Sequence, residues 1–398
     1  MSVQLESITF NHDQATHGHD ALNIRRNAAQ AVVLPEWQRG VSVAPADSPA
    51  AYSLNDVRGN TVSIQVVLRR LDPRITCVQV RALDVKGKSG CLWAIIQALG
   101  WDKWFKPPVS SLLGNVDERT VCFGVSNLSG PVLMDLTSHR LDTAGVERDV
   151  VGWRWQYRIG CGPWQDFAFS QHEVFAVLSV PTAPWQQQPS GAGNTQLPWV
   201  DGLRWACGWG KGAFTANEAS AKVTQAIYAL GPSVIEYDCP GGGSSQYSWG
   251  GFDLTAFLDR LGGGLGNGVY VNCSDCATFV ATFANLLGAD LWQSRMGWFF
   301  QLNPLLAIGS NVWQTACNWG GFSYHEVAWK GACTASENIY DACLQVDGDA
   351  DPTSAPHTAQ LPMDMRFGNV GDGDYRDHLS PSGTCDPQPA SRTRRAVS

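Results

Sequence analysis

Near residue 181 the apolar rhythm of the chain changes from a period of two to steps of three and four. Before that point come short runs rich in Val, Ile and aromatics: VSIQVVLRR (62–70), TCVQVRALDV (76–85), RTVCFGVSNL (119–128), GPVLMDLTSH (130–139), VGWRWQYRI (151–159) and EVFAVLSV (173–180). Several alternate apolar with polar residues, and DPR, LSG and GCG supply turns between them. This spacing predicts an antiparallel β-sandwich over residues 1–182, interrupted by a possible insertion at 86–114 that carries a helical segment and KPPVS. PTAPWQQQPSGAGNTQLPW (181–199) has no periodicity and marks the boundary, with 183–199 as linker.

Helical signals follow. TANEASAKVTQAIYALG opens with Thr215, places Glu218 three residues on as a capping box, and stops at Gly231. DLTAFLDRLG is a second helix, ended by the glycines at 262–264, and a third starts at Cys273. Strand-like GFSYHEVAW and NIYDACLQV come next, so residues 200–370 read as an α+β domain and 371–398 as an irregular C-terminal tail. Within that tail Arg392, Arg394 and Arg395 read as a frayed, solvated end.

With a formal net charge of −8 the chain lacks the basic face that a nucleic acid or an anionic membrane requires. The opening MSVQLESITFNHDQ has neither the basic nor the apolar region of a secretory signal, and CLWAIIQALGW is too short to span a bilayer. The expectation is a cytoplasmic protein, or one exported without a standard signal. Twelve cysteines in 398 residues are too sparse for a disulfide scaffold, so most are expected as buried thiols.

One of them, Cys273, needs more than packing. In GVYVNCSDCATFVATFANLLGAD (268–290), Cys276, Phe279, Val280, Phe283, Leu286 and Leu287 form one apolar helical stripe. Packing therefore explains Cys276. Cys273 precedes the stripe, at the helix N-terminus, where orphan N–H groups and the dipole favour a thiolate and could stabilise an oxyanion. Asn272 or Ser274 can cap that end, and Asp275 complements its dipole. A thiolate nucleophile needs a base, and the base an orienting acid. His325 in one strand-like run and Asp341 in the next are the candidates.

NCSDCA before an amphipathic helix, then YHEVAW, then IYDACL, resembles the transglutaminase-like superfamily of papain-like cysteine enzymes, over about residues 199–365. The resemblance implies Cys273 as nucleophile, His325 as general base and acid, Asp341 as orienter, and a helix packed on an antiparallel sheet. It further implies amide hydrolysis or acyl transfer through a thioester on protein or peptide substrates, with no cofactor or metal. Two departures stand out: HEVAW replaces the commoner HAW, and no tryptophan immediately precedes the Asp.

Other readings compete. An inert binding or scaffold protein could keep the same fold. C-x-x-C at 273 and 276 suggests zinc or redox chemistry, but Cys317, Cys333 and Cys343 form no second pair at similar spacing. His12, His17 and His19 fit no regular element, and DGDADP fails as a calcium loop because Pro352 stands where Gly is needed. Asp347 rivals Asp341 but suits a turn. PGGGSSQYSWGG reads as a flexible loop over the site, and Trp153 and Trp155 as core or surface packing.

Overall fold

The structure, a computed structural model, describes residues 2–13, 21–41, 44–55, 62–85, 111–137, 141, 144–187, 195–381 and 384–398. Most of the expected insertion at 86–114, and also His17 and His19, lie outside the described residues. The chain forms two compact units, Met1–Val180 with Gln187–Val200, and Pro181–Gln186 with Asp201–Ser398.

The first unit is built on β1 (Val3–Thr9), β2 (Trp37–Gln38), β3 (Ala50–Ser53), β4 (Ser63–Arg70), β5 (Cys77–Asp84), β6 (Asn115–Cys122), β7 (Val132–Thr137), β8 (Glu147–Arg158) and β9 (Gln165–Val177). In place of a sandwich of two sheets they make one nine-stranded sheet, ordered β2-β1-β4-β7-β6-β5-β8-β9-β3. Its join is narrow, since β6 meets β7 at Asn115↔Thr137 and Val116↔Leu136. Strand twist accumulates across such a sheet. It curls until apolar residues of β1, β4, β5 and β8 share one core. Trp153 and Trp155 are fully buried there, their indoles donating to the Gly114 carbonyl and to Ser170 Oγ, both at 2.9 Å. Satisfied N–H groups are what allow two such large rings inside.

The second unit mixes helices and strands. Its helices are α1 (Val200–Trp209), α2 (Ala216–Tyr228), α3 (Leu254–Leu261), α4 (Cys273–Leu286) and α5 (Tyr375–Leu379). Short strands β10 (Glu236–Tyr237) and β11 (Tyr270–Val271) pair in parallel ahead of α4. Then come β12 (Trp292–Met296), β13 (Phe300–Gln301), β14 (Leu306–Ala307), β15 (Gly321–Phe322), β16 (His325–Trp329), β17 (Asn338–Tyr340), β18 (Leu344–Asp347), β19 (Ala359–Gln360), β20 (Met363–Arg366) and β21 (Pro387–Thr393). The main sheet runs β20-β17-β16-β12-β21, and α4 packs across β16 and β12. Every residue of α4 is buried, including its polar ones.

Three expectations need correcting. The C-terminal stretch is no irregular tail: β21 supplies an edge strand to β12, and Arg395 is half of a buried ion pair with Glu326 at 2.6 Å. Backbone pairing and a buried partner order a segment whose own side chains are polar. The linker divides between the units. The Ala183 carbonyl accepts from Asn285 Nδ2 at 2.7 Å, whereas the Pro198 carbonyl accepts from the Arg25 amide at 3.0 Å, and residues 188–194 lie outside the described residues. Finally, among the described residues, which leave out Cys91, four cysteines pair as Cys77–Cys122 and Cys239–Cys317, while six of the seven free ones are buried. Among the described residues no helix is long and apolar enough to cross a membrane.

Candidate functional site

Local sequence fixes where Cys273 stands. The Asn272 side chain accepts from the Asp275 amide at 3.0 Å, and Asp275 returns the bond to the Asn272 amide at 3.2 Å. This capping box makes Cys273 the first helical residue, 5% exposed. The amides of Asp275 and Cys276 are taken up by Asn272. Those of Cys273 and Ser274 stay open at the positive end of the helix.

Asp275 does more than complement that dipole. Its buried carboxylate accepts from the hydroxyls of Ser245 and Ser248 and from the amides of Gln246, Tyr247 and Ser248. These bonds fasten the glycine-rich segment, read from sequence as a flexible loop, onto the start of α4. The Cys239–Cys317 bridge ties down its stem.

His325 opens β16 and Asp341 directly follows β17, its antiparallel neighbour. Their side chains meet at 2.8 Å between His325 Nε2 and Asp341 Oδ2, both fully enclosed. Asp341 is itself held on both oxygens, Oδ1 accepting from the Cys343 amide at 2.8 Å and Oδ2 from the Tyr375 hydroxyl at 2.7 Å. Burial alone would push the imidazole down. The charge and hydrogen bond of Asp341 outweigh it, the nearby Cys273 adds to the rise, and the pKa rises to about 10. Nδ1, the other ring nitrogen, is buried and makes no hydrogen bond. Of the three residues singled out from sequence, His325 and Asp341 are in direct contact, and Cys273 lies close enough to act on the imidazole.

The rival residues lie elsewhere. Asp347 binds His357 Nδ1 at 2.7 Å, and His12 contacts Ser63 Oγ at 3.0 Å. Burial pushes the Cys276 and Cys343 thiols up, and the two lie close enough to act on each other. Among the described residues no group of three or more His, Cys, Asp or Glu is placed to hold a metal.

Three members of this site escaped the sequence reading. Tyr375, which steadies Asp341, sits in the stretch taken for a tail. Tyr237 stacks on Phe322 at 6.3 Å, and Phe322 stacks on His325 at 5.3 Å. Burial, then the proximity of Cys273, raises the Tyr237 hydroxyl well above its ordinary value. The third is Glu326, whose carboxylate accepts from Ser274 Oγ at 2.7 Å and from both terminal nitrogens of Arg395. An acid directly after the histidine in HEVAW was visible, but its partner, 69 residues away, was not.

No family model and no curated protein matches the chain. Among solved structures it is similar to red sea bream transglutaminase, with a TM-score of 0.36 and 9% identity over 76% of this chain and 50% of that one. The chain thus spans about half the length of that enzyme. At this TM-score the likeness carries no argument, and the reading that follows rests on the geometry above.

Proposed function

We propose that the second unit is a cysteine-dependent amide hydrolase or acyl transferase acting on protein or peptide substrates. The observation that carries this reading is the buried relay in which Cys273 neighbours His325, His325 bonds Asp341 at 2.8 Å, and Tyr375 bonds Asp341 at 2.7 Å.

Its mechanism follows from the parts. The thiol proton passes to His325, whose protonated form Asp341 stabilises. The Cys273 thiolate attacks the amide carbonyl, and the developing oxyanion lies against the open amides at the start of α4. The Tyr237 hydroxyl is the second donor. Collapse breaks the C–N bond, the imidazolium gives its proton to the departing amine, and a thioester remains. Water then attacks the thioester, His325 takes its proton, and the acid and free thiol are restored. An amine in place of water gives a new amide.

The test is alkylation by iodoacetamide at neutral pH, mapped cysteine by cysteine. Cys161 is exposed and Cys273 is buried. If access alone decides, Cys161 reacts first. Activation predicts that Cys273 reacts faster than Cys161 and that His325→Gln removes the advantage. Labelling led by Cys161 would instead favour a binding protein that keeps this fold without turnover.

A further inference from the structure

A cleft of about 830 Å³ opens beside the start of α4. Asn272 and Ser274, the two neighbours of Cys273, line it together with Tyr324, Arg295, Arg394 and Arg395. Among the described residues no acidic one lines it, although the protein as a whole carries a formal charge of −8. Local positive charge therefore has to be explained by the cleft and not by composition.

Two of the three guanidinium groups are already matched. Arg395 is paired with Glu326 at 2.6 Å, and Arg394 with Asp290 at 2.6 Å. Arg295 differs. Its side chain is 44% exposed, and its nearest carboxylate oxygen, on Glu326, lies at 3.6 Å. That same oxygen already accepts from Ser274 at 2.7 Å and from Arg395 at 3.1 Å. The Arg295 guanidinium instead stands over the Tyr324 ring, 4.3 Å from its centroid. Stacking of this kind orients the planar fork while leaving its N–H donors open, which suits a carboxylate taken bidentately.

We infer that this cleft recognises a carboxylate on the substrate, held by Arg295 next to the amide that Cys273 attacks. The inference rests on the proposed acyl chemistry for its meaning, but the binding it requires does not. Substrates are then acidic peptides. The carboxylate comes from a Glu or Asp side chain or from a chain terminus, which present the same group to the arginine.

Calorimetric titration of full-length Cys273→Ala protein reads the cleft without the thiol. Three sets of probes are used: acetylated, amidated alanine pentapeptides with Glu at each position in turn, the same set with Gln, and the Gln set ending in a free carboxylate. The expected result is that at least one Glu or free-carboxylate peptide binds tenfold or more tightly than its neutral counterpart. Adding Arg295→Gln should shrink that ratio below twofold, while Arg295→Lys, which keeps the charge and loses the fork, should leave it intermediate. A Glu preference assigns the site to a side chain, and a free-carboxylate preference to a terminus. Equal binding of all three sets, or a preference that survives Arg295→Gln, overturns the inference. Acid preference without fast alkylation of Cys273 would sink the catalytic reading alone. Fast alkylation without acid preference would sink this one alone.

Discussion

His325 holds its proton because a carboxylate faces it where water cannot. Its folded value, about 10, lies above the ordinary 6.5, so the stabilisation it contributes is full below pH 6.5, shrinks as pH rises from there, and is gone above about 10. Heat-denaturation midpoints of the wild-type protein should therefore fall across that interval. In His325→Gln the same stretch should be flat, and an undiminished slope there would assign the pH dependence to other groups. Acylation should follow the same group, its rate dropping on the alkaline side as the imidazolium loses the proton owed to the leaving amine. Tyr237 belongs to this scale too. If its hydroxyl faces the oxyanion, Tyr237→Phe lowers the acylation rate by roughly 10² to 10³ with little change in substrate binding. Equal losses in rate and binding would instead mark it as packing.

At the scale of elements, α4 was the most legible part of the chain. Its apolar stripe, its cap and its stop at Gly288 are all local, and the capping box of α2 between Thr215 and Glu218 was equally plain. Strands were harder. The polar pair Asp117 and Glu118 hid the first half of β6, because that strand keeps only Val116 and Val121 inward and wets the rest. The first eight residues of β9, Gln165–His172, are largely polar and leave no clear alternation, and the buried Glu173 is acceptable inside only once Arg148 reaches it at 2.6 Å. Partners distant in sequence leave no trace in periodicity. The same holds for Asp275, which reads as a dipole-matching first-turn acid and proves to be the anchor of the glycine-rich segment. Asp275→Ala strands several buried amides and hydroxyls at once and is expected to cost upward of about 3 kcal/mol. Urea denaturation measures the loss, and Cys273 alkylation should fall with it. A cost under about 1 kcal/mol, the worth of a cap alone, would show that the segment is held by other means.

For the whole molecule, the change of rhythm near residue 181 was legible, but the path of the chain across it was not. A sequence pattern marks where one kind of structure ends. It does not say which core receives each tryptophan of an aperiodic stretch. Here Trp185 is 3% exposed and donates to the Thr282 carbonyl at 3.0 Å, while Asn285 Nδ2 reaches the Ala183 carbonyl at 2.7 Å. Residues 181–186 are thus part of the second unit, packed along the far half of α4. Trp185→Ala removes a large buried ring and leaves a carbonyl without its donor, for an expected loss of about 3–5 kcal/mol. Because the two units have separate cores, that loss should be confined. Hydrogen exchange read by mass spectrometry should show weakened protection in α4, β12 and β16, with β4, β5 and β8 unchanged. The converse substitution, Trp153→Ala, should loosen the nine-stranded sheet and spare α4. If either change weakens both sets of elements equally, the two units unfold as one, and stability at the candidate site is set by the entire chain.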